Sequence, residues 1–111
     1  MTNHEEPSVY YSSLEGRFLA HEGVELVRSL DGPALAFEGH IFAFRRDEAV
    51  VVRLGSDTAS SAIEFGHGVS FRPSEAHTSP TWVLVPFSAG DPERFAHYME
   101  RAYENARSLV R

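Results

Sequence analysis

Ala34-Leu35-Ala36-Phe37-Glu38-Gly39-His40-Ile41-Phe42-Ala43-Phe44-Arg45-Arg46-Asp47-Glu48-Ala49-Val50-Val51-Val52-Arg53-Leu54 carries the strongest structural signal in this chain of 111 residues. Its apolar stretches at 34–37, 41–44 and 49–54 are rich in the β-branched and aromatic residues that fit a pleated, half-buried surface. Two short polar turns separate them, Glu38-Gly39-His40 and Arg46-Asp47-Glu48, and Gly39 can take the positive φ that a tight hairpin demands. The pattern predicts an antiparallel meander. Just upstream, apolar Val24, Leu26 and Leu30, with Val27 breaking the alternation, precede the turn residues Asp31-Gly32-Pro33 and add one more strand.

Further along, 69–72 reads as a short strand closed by Pro73, 74–80 as a polar loop, and 81–87 as a nearly continuous apolar strand. Pro86 has no N–H to give a ladder, so it marks either an edge strand or a strand's end. Three helices frame these strands. Tyr11, Leu14 and Phe18, with Leu19 beside them, recur at helical spacing after a tail at 1–7; because Gly16 weakens a helix interior, the helix is expected to start at Ser12 or Ser13 and to end near Gly23. Ser56 or Asp57 caps a second helix whose Ala59, Ala62 and Ile63 face one side, with Gly66 just past its end. The third is the clearest: Asp91 caps, Pro92 opens, and Phe95, Tyr98, Met99, Ala102, Tyr103, Ala106 and Leu109 form one stripe. The fold class is α+β, a single domain over residues 1–111 in which one core buries an antiparallel sheet, meander plus hairpin, against N-terminal, middle and C-terminal helices.

Composition removes several chemistries. A hydrophobic share of 42%, with eight Phe, four Tyr and one Trp, is enough for a packed core. Sixteen acidic against ten basic side chains give a charge of −6, which disfavours bulk attraction to nucleic acid or anionic membrane. All the cations are Arg, so Schiff-base and P-loop lysine chemistry are excluded, and the lack of Cys excludes disulfides, thiolate nucleophiles and Cys-ligated zinc. The polar, acidic start lacks the cationic and apolar runs of a signal peptide, and no stretch reaches the roughly 18 apolar residues of a membrane span. A cytoplasmic location without membrane contact is expected.

Positive chemical signals are sparse. His4, His21, His40, His67, His77 and His97 show no metal-ligand spacing, and only His67 and His77 flank a strand that a hairpin could bring together. Gly66-His67-Gly68 opens no helix and so reads as turn punctuation rather than a phosphate cradle. No nucleophile elbow is present, and Glu5-Glu6, Asp47-Glu48 and Glu100 with Glu104 read as solvated charge. Arg45, Arg46, Arg53 and Arg72, with Phe71 and Trp82, are the residues from which a nucleic-acid platform would be built, but strand alternation sends Arg45 and Arg46 to opposite faces. Phe37, Phe42, Phe44, Phe71, Trp82, Phe87, Phe95 and Tyr103 read as core, with Trp82 large enough to reach the edge of a groove beneath the 74–80 loop. No catalytic, cofactor-binding or metal-binding residue is assigned.

Gly39-His40-Ile41-Phe42-Ala43-Phe44, Val50-Val51-Val52-Arg53-Leu54, Gly66-His67-Gly68, Trp82-Val83-Leu84-Val85-Pro86 and Ala102-Tyr103-Glu104-Asn105-Ala106-Arg107 together resemble the N-terminal domain of TfoX/Sxy competence regulators over residues 14–109. The related MmcQ/YjbR-like proteins share the Gly-x-Ile-Phe-Ala hairpin and the Trp-Val strand. Leu30-Asp31-Gly32-Pro33 replaces the family's Met-Phe-Gly-Gly, and Arg53 replaces a usual lysine, which marks a divergent branch. The resemblance implies a secretion-chaperone-like fold, α-β(3)-α-β(2)-α, without an established active site. It implies a non-enzymatic regulatory or protein-interaction domain whose partner is a second copy or a regulatory protein; only the N-terminal domain of those regulators is matched, so an activator role does not carry over whole. YjbR-like DNA binding and an unrecognised small-molecule binder or enzyme are the alternatives. A homodimer or docking through β structure is expected, motivated by the apolar run 82–87.

Overall fold

The computed structural model describes residues 7–72 and 81–110. Helix α1 (Pro7–Leu19) leads into four strands, β1 (Val24–Ser29), β2 (Gly32–Phe37), β3 (His40–Arg46) and β4 (Ala49–Arg53). After them come α2 (Ser56–Glu64), β5 (Val69–Ser70), β6 (Trp82–Pro86) and α3 (Glu93–Ser108). The strands form one antiparallel sheet in the order β1-β2-β3-β4-β6-β5. The chain is α+β, as its pattern predicts.

The meander closes on left-handed turn residues. Glu38 and Gly39 have φ of 47° and 90°, the two positive values of the hairpin turn whose twist matches its strands, and Phe37 pairs with His40 across it. Asp47 at φ 55° turns β3 into β4. Between Leu35 and Ala36 the register slips, so Leu35 opposes Ala43 while Ala36 opposes Ile41, and Phe42 is the extra residue of a β-bulge.

That bulge divides the aromatic residues between two faces. Phe42, Ala43, Leu35, Val50, Val52, Val83 and Val85 pack with Tyr11, Leu14 and Phe18 of α1, Ala59 and Ala62 of α2, and the α3 stripe from Phe95 to Ala106. On the opposite face Ala34, Phe44, Val51 and Trp82 form a separate cluster, joined by half-buried Val27, Ile41, Phe71 and Leu84, with no helical residue among them. The expectation of one core is therefore corrected to two, because a sheet with helices on a single side still has apolar residues on both pleats.

Several boundaries move. Pro7 opens α1, whose missing N–H costs nothing in a first turn, so the helix begins five residues before Ser12; residues 1–6 of the expected tail lie outside the described residues. Gly55, extended and without a side-chain cap, is the N-cap of α2, and Ser56 is already helical. Pro92 is the N-cap of α3 rather than its first residue, while Asp91 accepts from Arg94 Nε at 3.3 Å. In β1 the expected alternation does not hold: Val24 is buried on the helical face and Val27 half-buried on the other, whereas Leu26 and Leu30 are exposed. Leu19, Ile63 and Leu109 are exposed as well.

Tyr11 is the one buried side chain with a polar atom lacking a hydrogen bond among the described residues. Burial, and then the Glu15 carboxylate, push its phenol far above the ordinary range, against a smaller opposite pull from Arg45. An unpaired buried hydroxyl costs about 1–3 kcal/mol, so Tyr11→Phe is expected to stabilise the fold by about 1 kcal/mol near neutral pH. A raised folded pKa means the neutral phenol's contribution is complete below the unfolded value near 10 and is lost as pH rises above it. Denaturant melts should thus show the gap between variant and wild type widening above about pH 10.

Candidate functional site

The most distinctive surface lies where α2 hands over to β5. Gly66 follows the helix at φ +77° and lets its last carbonyls accept Gly66 N–H and His67 N–H, on Ile63 and Ala62 respectively. Gly68 then runs so close to β6 that a Cβ would meet Val83 Cγ1 at 2.6 Å and the Leu84 carbonyl oxygen at 2.7 Å. The Gly66-His67-Gly68 motif is turn punctuation with a packing requirement at its end.

Ladder parity fixes which groups of β5 face outward. Leu54 N–H bonds to Thr81, and Phe87 N–H to Glu48, so alternate residues of β6 address β4; Phe71 N–H bonds to Trp82, so the others address β5. Pro86 is the next residue on that side and has no N–H. This explains why β5 is short, and it corrects the expectation that the 82–87 run offers an edge: β6 is interior, and Pro86 is its end. Val69 and Phe71 turn their peptide groups to β6, and Ser70 turns its N–H and C=O away from the sheet.

Among the described residues no strand lies beyond β5 or β1, but the two edges differ. β1 carries Glu25 and Arg28 on opposite faces, charges that blunt strand addition. β5 carries none, and Val69 is 59% exposed on the same pleat as Leu84; on the helical side, at the end of α2, Phe65 is 71% and Ile63 42% exposed. Sequence reading placed Ile63 with the buried alanines and did not single out Phe65. The only available signal was its position between a short helix and two glycines.

Beside Phe65 a groove of about 290 Å³ runs between α2 and α3, lined by Thr58, Ser61, Phe65, His97, Tyr98 and Arg101 among others. The Tyr98 hydroxyl lies 2.8 Å from His67 Nδ1, a bond that either histidine tautomer sustains and that ties the end of α2 to α3. Burial raises the Tyr98 phenol, with Arg94 pulling the other way, so the pair holds a neutral tyrosine rather than a tyrosinate nucleophile. His97 stacks edge-on against Tyr98 at 4.8 Å, and Arg101 pairs with Glu104 at 3.6 Å in solvent.

The remaining candidates are dispersed. His21 stacks on Tyr103 at 4.9 Å and His40 opens β3; His4 and His77 lie outside the described residues, as does the 74–80 loop expected over Trp82. No cluster of three metal-ligating side chains occurs among the described residues. Arg45 shares Val50's face and donates to the Asp47 carbonyl, whereas Arg46 and Arg53 share the face of Phe44 and Trp82. Arg46 sits over the Phe71 ring at 5.4 Å, and Phe44 stacks on Trp82 at 6.0 Å. With Phe44 2% and Trp82 6% exposed, neither ring offers a face to a base, and Trp82 belongs to the second core. None of the described helices is long and apolar enough to cross a membrane. No family model matches the chain, and no curated protein matches it.

Proposed function

We propose that this chain is a non-enzymatic regulatory or protein-interaction domain that receives its partner at the β5 edge, in the cytoplasm. The observation that carries the reading is the contrast between the sheet's two edges: β1 is guarded by Glu25 and Arg28, while β5 carries no charge and presents exposed Val69 beside the outward peptide groups of Ser70. Such an edge gives affinity through main-chain bonds and selectivity through alternate side chains. The resemblance to the TfoX/Sxy N-terminal domain supports the same conclusion, and the order α-β(4)-α-β(2)-α fits its secretion-chaperone-like fold with β1 added in front. YjbR-like DNA binding draws less support, because Arg46 covers Phe71 and the stacked rings beneath are buried.

Val69→Asp tests the reading. It places a charge on an exposed side chain, so the thermal midpoint should stay within a few degrees of wild type. In parallel affinity captures from the native host, protein partners held by wild type should be lost from the variant. Equal capture by both would sink the assignment.

A further inference from the structure

We propose that the groove between α2 and α3 binds a free aromatic amino acid. Two contacts fix how the groove is laid out. A Cβ at Gly55, just before α2, would lie 3.6 Å from the Asn105 side-chain oxygen, and His67, just past α2, meets the Tyr98 hydroxyl. The two helices therefore run antiparallel along the groove. Asp57 and Thr58 face Arg101 at one end, and Phe65 lies toward His97 at the other, over buried Tyr98.

One end carries charge and the other carries rings. Asp57 makes no ion pair among the described residues, and Arg101 has only exposed Glu104 at 3.6 Å, a solvent pair that costs little to exchange. A zwitterion satisfies both walls: its carboxylate takes the Arg101 fork and its ammonium takes Asp57. Carrying no net charge, it is not repelled by a chain at −6, as a simple carboxylate would be. At the other end Phe65 and His97 are exposed beside Tyr98, which the His67 bond holds in place, so a flat ring laid between Phe65 and His97 gains burial over a preformed floor. His97 and Arg101 stand one turn apart, about 6 Å along α3. That matches the order of the distance from ring to α-carboxylate in phenylalanine, and about 290 Å³ is room for one such molecule. The larger cavity, about 490 Å³ beside Phe37, offers less: its Arg107 lies over the Tyr103 ring and its Ser108 donates to the Asn105 carbonyl.

Titration of the full chain with L-phenylalanine, followed by calorimetry and backbone NMR, should show saturable binding whose shifts centre on 57–65 and 97–101. Phenylpropionate, which lacks the ammonium, phenethylamine, which lacks the carboxylate, and L-alanine, which lacks the ring, should each bind about tenfold more weakly or worse. Asp57→Asn should erase the preference over phenylpropionate, and Arg101→Gln the preference over phenethylamine. Both side chains are exposed, so the melts of these variants should match wild type. Val69 lies across from Leu84, on the sheet face away from both helices, so Val69→Asp should bind L-phenylalanine as wild type does. Failure of the groove therefore leaves the β5 reading standing, and failure of the β5 capture leaves the groove standing. No saturable binding up to about 10 mM, shifts centred elsewhere, or a preference unmoved by Asp57→Asn or by Arg101→Gln overturns the proposal.

Discussion

Phe95→Ala is expected to lower the unfolding free energy by about 3–5 kcal/mol, the largest loss foreseen for a single side chain here. Phe95 is 1% exposed on the first turns of α3 and lies 5.2 Å from the Phe87 ring and 6.2 Å from the Tyr10 ring. It thus joins α1, α3 and the segment leaving β6 in one contact. Truncation removes the transfer free energy of the ring and leaves a cavity that three separate elements would have to close together. Denaturant melts near neutral pH measure the effect, and a loss under about 1 kcal/mol would contradict the packing of the α3 stripe.

Gly68→Ala is expected to cost about 2–3 kcal/mol, as overpacking against an immobile neighbour does. The new methyl would press on Val83 Cγ1, which can rotate, and on the Leu84 carbonyl, which is fixed in the ladder to β5. Gly16→Ala is the natural control. No atom lies within 4 Å of a Cβ built there, and its place inside α1 should yield a gain of about 0.5–1 kcal/mol. If both variants melt alike, the close approach at Gly68 is not real.

The elements were legible because local chemistry and tertiary structure agree over most of them. The Glu38-Gly39 turn, the apolar strands and the Phe95, Met99, Ala102, Tyr103 and Ala106 stripe each repeat one message at several residues. What could not be read is what depends on pairing. Strict alternation would send Phe42 and Phe44 to one face; the bulge separates them, and with them the two cores. Likewise 82–87 looks like an edge until the ladder places β4 on one side and β5 on the other. The exposure of Phe65 and Ile63 could not be read either, since nothing in a nine-residue helix says where the sheet and the neighbouring helix end.

The sheet order also dictates how the chain reaches its native state. α2 carries the chain from β4 to β5 past an unfilled lane, and β6 enters that lane afterwards, pairing Arg53 with Trp82 and Val69 with Leu84. The meander from β1 to β4 consists of hairpins between sequence neighbours, whose loops close at small entropic cost, whereas β6 must find β4 across α2 and β5. The meander is therefore expected to form first. Insertion of β6 between β4 and β5 is expected to come late, and until it happens β4 is itself a bare edge, so the nascent chain is most exposed to misassembly along a strand that is thoroughly enclosed at the end.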